Sequence, residues 1–472
     1  MDGKNAIFLG RSCCKISYTT YCKKEKVLSS LYHLFLLDLI RQFLKKLLLI
    51  APYFLPRRRV GSLRPFKFAI HLQNFGWEPH IITIASDGQL TRKEQKLLKD
   101  ISVYQLDPPF DYTSGSGSQL QKKDERSQNN NFGLNDWIDK QFPVDTWLPF
   151  FMLKYQRIRK IVRTVNPDAI WSTGDPWSAH WVGRAMACLD PGRFWIADFR
   201  DPWTLSQTDL KKRSSFSAGI DRKMERRLIN SASMVSFTTD STRRLYENHY
   251  KDLDLNTTTI YNAFDRLLFD GSGPESIDLA MDVNHLNVVF FGKFRRLSPA
   301  KPLIDILSQL KITEPSAAER IRVHSFGNLS KEDARYAAEK QVKECFKVHD
   351  PVPVEQGLQV LQQADLQLLS TNPERTDIIP AKFWDYLAAR KPILSIAPNP
   401  EIKEILQQTG TGEQYHHSDL KQLAILLKSC VEAKKADRPL PISFSYRQDE
   451  VEQYSAKSAT RKLATVLDEH IQ

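Results

Sequence analysis

The sequence predicts an α/β protein built of two doubly wound halves, and three observations carry that reading. Short apolar runs of strand length alternate with segments of helical spacing along most of the chain. The alternation breaks once, at a polar and acidic stretch running from Asp265 to about Asn284, and then restarts. At 472 residues the chain also exceeds what one hydrophobic core usually supports.

Each element follows in order. Residues 1–44 read as an extension outside the fold, translated from an upstream start codon. Its segment "VLSSLYHLFLLDLI" is apolar, but it is shorter than a membrane span, His33 and Asp38 interrupt it, and no small-residue cleavage site follows. An amphipathic surface helix flanked by Lys23, Lys24, Lys26, Lys45 and Lys46 is the other reading open here. Residues 45–268 form the first domain. "KKLLLIAPYFLP" is a strand ending in Pro52 and Pro56, "RPFKFAIHLQNFG" a helix stopping at Gly76, and "EPHIITIAS" a strand. These make a βαβ unit and hence a parallel sheet. Residues 113–136 have the composition of a surface insertion. Then come helix "KYQRIRKIVRTV", strand "DAIWST", helix "SAHWVGRAMACL" and strand "RFWIADF". Helix "MERRLINSA", strand "SMVSFTTD", helix "TRRLYENHY" and strand "TTTIYNAF" end the domain.

Residues 269–284 are the linker and 285–446 the second domain. Its strands are "LNVVFFG", "IRVHSFG", "DLQLLST" and "KPILSIA", separated by helices "KPLIDILSQL", "EQGLQVLQQA" and "AKFWDYLAA". Two further amphipathic helices precede a last one within 447–472.

Composition narrows the function classes. Hydrophobic residues at 41% and charged residues at 26% fit a globular protein, and a net charge of +12 favours anionic partners. Nucleic acid is disfavoured, because the basic residues are dispersed and no RNA or DNA motif accompanies them. The six cysteines (Cys13, Cys14, Cys22, Cys188, Cys345, Cys430) show neither metal-ligand spacing nor a disulfide framework, which suits a reducing cytoplasm. With no Asp-x-Asp motif in a strand-end setting and no His/Cys cluster, neither a metal nor a cofactor is expected.

Doubly wound sheets bind ligands beyond the carboxyl ends of their strands, and the polar clusters of this sequence sit at such ends. "FFGKFRRLSPAK" places Gly292 where backbone can approach a ligand, followed by Lys293, Arg296 and Lys301 as cations for a phosphate. "TDIIPAKFWDYLAAR" carries Asp377 and Asp385, with Lys382 on roughly the same helix face as Asp385. On the first domain, "PRRRVGSLR" offers Gly61 and Ser62 as a tight loop close to phosphate. Arg64 follows near a helix start, where a cation works better as an anion clamp than as a dipole partner. "STGDPWSAH" adds His180.

"IADFRDPWT" ends a buried strand with Asp198, Arg200 and Asp201. Either Arg200 clamps a leaving phosphate while Asp201 orients it or accepts from a hydroxyl, or Asp198 and Arg200 pair across the loop over Trp203. An arginine cannot serve as a base. Glu225 reads as charge compensation at the start of its helix.

Taken in order, "LLLIAPYFLPRRRVGSLR", "WSTGDPWSAH", "DFRDPW", "YNAFD", "FFGKF" and "DIIPAKFWDYLAARKPIL" resemble the family 4 glycosyltransferases, particularly bacterial enzymes that build surface polysaccharides. The resemblance runs from about Lys45 to the end. It implies a GT-B fold: two Rossmann-like domains facing across a cleft, with the C-terminal helix crossing back onto the first. It implies a nucleotide-sugar donor on the second domain and a saccharide or lipid-linked acceptor on the first; the positive charge of the chain suits an anionic inner-membrane surface, where a lipid-linked acceptor would wait. It also implies transfer with retention. Lys293 matches the family's basic residue after the glycine, and Arg296 or Lys301 its second cation. Asp377 and Asp385 stand where the family carries two glutamates, and Arg200-Asp201 where many members carry His-Asp. A catalytically silent GT-B subunit or binding module, and a GT-B-fold UDP-sugar isomerase, are the alternatives.

Overall fold

Two all-parallel sheets divide the chain between them. The computed structural model describes residues 44–108, 142–206, 213–269, 279, 281–352 and 356–471. The 113–136 insertion, nearly all of the 1–44 extension and most of the 269–284 linker lie outside those residues. The first sheet has seven strands: β1 (Lys45–Ile50), β2 (Trp77–Ile84), β3 (Ser102–Leu106), β4 (Ala169–Gly174), β5 (Phe194–Phe199), β6 (Met234–Phe237) and β7 (Thr257–Thr259). The second has six: β8 (Leu286–Phe290), β9 (Ile321–Phe326), β10 (Phe346–His349), β11 (Leu366–Ser370), β12 (Ile393–Ile396) and β13 (Gly412–Tyr415). Their orders are β3-β2-β1-β4-β5-β6-β7 and β10-β9-β8-β11-β12-β13. Strand order therefore reverses between β1 and β4 and again between β8 and β11, which sets one ligand-binding crevice at each domain's strand ends.

The central strands are mainly apolar because both their faces are covered. Leu47, Leu48, Leu49 and Ile50 of β1 are completely buried, in register with β2 on one side and β4 on the other. Helices Val60–Leu72 and Ala456–His470 cover one face of this sheet, packing Phe66, Ala69, Leu463 and Leu467 against Leu47 and Leu49. Helices Leu148–Leu153, Tyr155–Val165, Ser178–Ala187 and Ser215–Ser231 cover the other with Phe151, Ile158, Val162, Val182, Met186 and Leu228. The last helix thus crosses back to the first domain. Lys45 Nζ donates to the Ile471 carbonyl at 2.6 Å, and Trp77 Nε1 donates to Asp468 at 3.1 Å.

Edge elements depart from the sequence reading. Strands β3, β10 and β13 were not predicted, nor were helices Arg92–Leu97 and Lys331–Glu339. The edge strands are mostly half-buried or exposed, so their hydrophobic signal is weak. Two helices also begin earlier than their apolar pattern suggests. The Val60–Leu72 helix takes Gly61 and Ser62 into its first turn rather than leaving them in a loop. The Ser215–Ser231 helix puts Glu225 in its middle, fully buried, so Glu225 does not compensate a helix N-terminus.

The two domains touch directly. Glu401, in the first turn of the Pro400–Thr409 helix, accepts from the backbone N–H groups of Asp240 (2.9 Å) and Ser241 (3.0 Å). It also takes the Ser241 hydroxyl at 2.8 Å and the Tyr261 hydroxyl at 2.6 Å. A carboxylate of the second domain thus caps the Asp240–His249 helix of the first, where the helix dipole favours negative charge.

Candidate active site

On the second domain the site begins at the end of β8. Gly292 has φ 121°, a conformation only glycine adopts easily, and a side chain there would face the Lys382 ammonium. Lys382 opens the Lys382–Ala388 helix, and its Nζ lies 3.7 Å from the centre of the Phe290 ring. Burial in this largely apolar floor, with Arg295 nearby, pulls the Lys382 ammonium down to about 7. Burial pushes Asp385, one turn on, up to about 6, partly offset by Lys67 of the first domain. Behind them the Tyr386 hydroxyl accepts from the Phe291 N–H at 2.8 Å. That bond fixes the helix to the end of β8.

The basic loop after Gly292 is anchored at the switch point. Asn372, just past β11, donates through its backbone N–H to Leu297 and through its side chain to the Arg296 carbonyl. The Ser370 hydroxyl donates to Pro299 at 2.8 Å. Arg295 and Arg296 are held there exposed to solvent, and Lys293 is half-buried against Gly327. Lys301 is not brought to this group, since its ammonium lies over the Tyr336 ring of the Lys331–Glu339 helix.

On the first domain the predicted residues separate into two sets. Asp198 pairs with Arg64, not with Arg200: Arg64 Nε and Nη2 donate to it at 3.0 and 2.8 Å. Thr173 and Ser236 add hydroxyl bonds at 2.9 and 2.7 Å. Arg64 further reaches the Tyr261 carbonyl, so a guanidinium expected to clamp an anion is spent inside the protein. His180 is likewise interior. Its Nδ1 shares a 2.9 Å hydrogen bond with Ser172, its ring stacks on Phe199, and burial pulls it down to about 3. A neutral imidazole with no exposed surface does not reach a ligand.

Arg200 and Asp201 are the second set. Arg200 is half-buried and donates to the carbonyls of Gly174 (2.5 Å) and Asp175. Its guanidinium fills the space beside Gly61, where a methyl group would overlap it. Gly61 therefore makes room for Arg200 at the first turn of the Val60–Leu72 helix. That turn carries no acidic residue and no side-chain cap; its Ser62 N–H bonds the Arg59 carbonyl, and the rest of the helix start and Arg200 form one electropositive corner. Asp201 is exposed, and its loop is held from below. Buried Glu225 accepts from the Thr204 N–H (3.0 Å) and hydroxyl and from Tyr246 and Tyr250. Tyr246 in turn accepts from the Trp203 N–H at 2.8 Å, and Trp203 stacks on Trp177 rather than under an Asp198–Arg200 pair.

The two domains meet across the cleft beside this second set. Arg375 of the second domain reaches Asp201 at 3.7 Å. The hydroxyls of Thr239 and Thr242 both donate to the Asp377 carbonyl at 2.8 Å. Burial raises the Asp377 carboxyl, with Arg375 opposing and Asp201 adding to the shift. Sequence reasoning missed Lys67, Thr239, Thr242, Arg375 and Glu401. Only Glu401, an acid following an Asn-Pro helix start, left a local signal.

No protein-family model matches the chain, and no curated protein matches it by sequence. Solved structures do match. Anabaena HepE, solved in complex with UDP and glucose, is 18% identical with a TM-score of 0.57, over 90% of this chain and 100% of that one. Sucrose-phosphate synthase from Thermosynechococcus elongatus is 12% identical with a TM-score of 0.60, over 90% and 98%. A glycosyltransferase from Rickettsia africae is 14% identical with a TM-score of 0.56, over 91% and 99%. The chain thus has the GT-B architecture of two Rossmann-like domains along nearly its whole described length. At these identities the likeness concerns the fold.

Proposed function

We propose that the protein is a glycosyltransferase of the family 4 type. It transfers a sugar, with retention, from a nucleotide-diphosphate donor on the second domain to a saccharide or lipid-linked acceptor on the first, in building cell-surface polysaccharide. The observation that carries this reading is the pairing of two switch points. The Lys382 ammonium beside the open backbone of Gly292 stands on one side, and Arg200 with Asp201 on the other, joined through Arg375. A diphosphate needs cations and a bare backbone approach, and a sugar crossing the cleft needs a carboxylate within reach of its acceptor.

In this reading Lys382, Lys293 and Arg296 neutralise the charge that develops on the leaving diphosphate, and no metal ion is required. Asp385 and Asp377 hold hydroxyls of the donor. Arg200 and the first turn of the Val60–Leu72 helix stabilise the diphosphate from the acceptor side, and Asp201 accepts from the attacking hydroxyl. HepE was solved with UDP, so uridine nucleotides are the first donors to try.

The test is thermal unfolding against UDP, GDP, ADP, CMP and dTDP, repeated with Asp385→Asn. A selective rise of the midpoint with one nucleotide, reduced in the variant, supports the assignment. No shift with any of them, from folded protein, removes the transferase reading and favours a silent GT-B module.

A further inference from the structure

Arg57, Arg58, Arg59 and Arg64 follow β1 closely, and they divide into two kinds. Arg58 makes a bidentate pair with Glu94 at 3.0 and 2.8 Å, as Arg64 does with Asp198. Arg57 and Arg59 pair with no carboxylate among the described residues. Arg57 is nevertheless only 7% exposed. Its Nη2 donates to the Ala85 carbonyl at 3.2 Å, while its buried Nε finds no acceptor among the described residues. A buried guanidinium without a counter-charge is costly to keep. Burial pulls Arg57 below the ordinary arginine value; Tyr53 and the exposed Asp87 oppose that shift, and Arg59 adds to it.

Aromatic rings hold the two unpaired arginines. The Arg57 guanidinium lies 5.6 Å from the centre of the Tyr53 ring and 5.9 Å from that of Trp147, and the Arg59 guanidinium lies 4.6 Å from Tyr53. A ring attracts a guanidinium through its quadrupole and leaves the net charge in place. Burial pushes the Tyr53 hydroxyl up to about 12, so the phenol is neutral. The carboxylates that act on Tyr53 do not cancel the pair. Asp145 is spent on the N–H groups of Trp147 (2.9 Å) and Ser178 (2.7 Å), and Asp175 is exposed to water. Strand order then fixes the place of this cluster. Tyr53 follows β1, Ala85 follows β2, and Arg59 immediately precedes the Val60–Leu72 helix, whose Gly61 lies against Arg200. The two arginines therefore continue the Arg200 corner towards β2, at the ligand-binding end of the first domain.

We propose that Arg57 and Arg59 form an anion subsite for the acceptor, and that the acceptor is an acidic sugar, one carrying a carboxylate or a phosphate. A guanidinium fork matches either oxyanion and stays charged at any working pH. The half-buried Tyr53 and Trp147 supply the apolar surface and polar tips that a sugar ring uses. A free inorganic anion would use the cations but leave these rings without a role. The leaving diphosphate does not call for this pair, since Lys382 and Arg200 already answer it. Naming the ligand as the acceptor rests on the transferase reading above; the binding of an acidic sugar does not.

The experiment is calorimetric titration of the full chain with glucuronate, glucose 6-phosphate, glucose and inorganic phosphate, each with and without UDP. Two variants are compared, Arg59→Gln and, as a control for an equal change of charge, Arg58→Gln, with cooperative melting as the check that both fold. We expect one acidic sugar to bind about tenfold or more tighter than glucose and than inorganic phosphate, whether or not UDP is present. Glucuronate as that ligand assigns a uronic acid, and glucose 6-phosphate a sugar phosphate. Arg59→Gln should remove the advantage, while Arg58→Gln should keep it within about twofold. Acidic sugars that bind no better than glucose would overturn the proposal, as would an advantage that survives Arg59→Gln. Inorganic phosphate binding as tightly would mean an adventitious ion only, and displacement of the sugar by UDP would give the arginines to the donor. Titration with UDP alone judges the transferase reading separately. Its failure, with the preference for an acidic sugar intact, would overturn the name acceptor and leave the sugar subsite standing.

Discussion

Arg64 and Asp198 show how a single pair can mislead from sequence and inform from structure. Asp198 is completely buried, and its two bonds from Arg64 account for half of its four hydrogen bonds to side chains. Removing one member of such a pair strands a charge in the interior. Arg64→Ala should therefore cost about 3–5 kcal/mol in chemical unfolding. Arg64→Lys should recover little, because an ammonium cannot make the bidentate contact. A wild-type unfolding midpoint for Arg64→Ala would refute the pairing. Gly61 gives a smaller expected cost. The atoms nearest its added methyl are those of the Arg200 guanidinium, which can move aside by giving up its bonds to the Gly174 and Asp175 carbonyls, so Gly61→Ala should cost about 1–3 kcal/mol. Displacing Arg200 should still lower kcat/KM by roughly 10²-fold if it stabilises the leaving group. Steady-state kinetics beside thermal melts separate the two effects.

At the scale of elements, the central strands and their helices were legible because both faces of each strand are covered and the apolar runs are continuous. Strands β3, β10 and β13 were not, since edge strands need only one buried face. The placement of some candidate residues was legible on the same principle. Gly292 and Arg200 sit just past strands and Lys382 opens a helix, where local sequence places them. The partner of Arg64 was not legible, because Asp198 lies 134 residues away and nothing local encodes it. The Lys382–Ala388 helix yields a prediction from its environment. Lys382 is held down to about 7, so above that pH it is mostly neutral in the free protein. A bound diphosphate favours the charged ammonium and must draw a proton back onto it. Nucleotide affinity should then be greatest below about pH 7 and fall as pH rises towards the ordinary lysine range, with proton uptake on binding. Calorimetry in two buffers of different ionisation enthalpy measures that uptake. Lys382→Arg, which stays charged, should abolish both the uptake and the slope.

For the whole molecule the decisive contacts are those that hold one domain against the other. Glu401 gathers two backbone N–H groups and two hydroxyls from the first domain, while Thr239 and Thr242 grip the Asp377 carbonyl from the opposite side of the seam. The loop bearing Arg375 and Asp377 is thus positioned by the first domain, so donor-side geometry depends on the domains staying together. Glu401→Ala removes an acceptor from four donors at once, three of them at the N-terminal end of the Asp240–His249 helix. An N-cap loss alone costs about 1 kcal/mol, and hydrogen bonds to a charged group about 1.5–3 kcal/mol each when counted singly. Water can re-solvate part of this seam once it opens, so the expected loss is a few kcal/mol in the coupling between domains rather than in either core. Unfolding of Glu401→Ala should accordingly broaden or split into two transitions, and small-angle scattering should show a larger radius of gyration. Nucleotide affinity should fall even though Glu401 belongs to neither predicted ligand set. A variant with one sharp transition, an unchanged radius and unchanged affinity would mean that the remaining contacts, the crossing C-terminal helix and the Asp377 seam among them, suffice to fix the two domains.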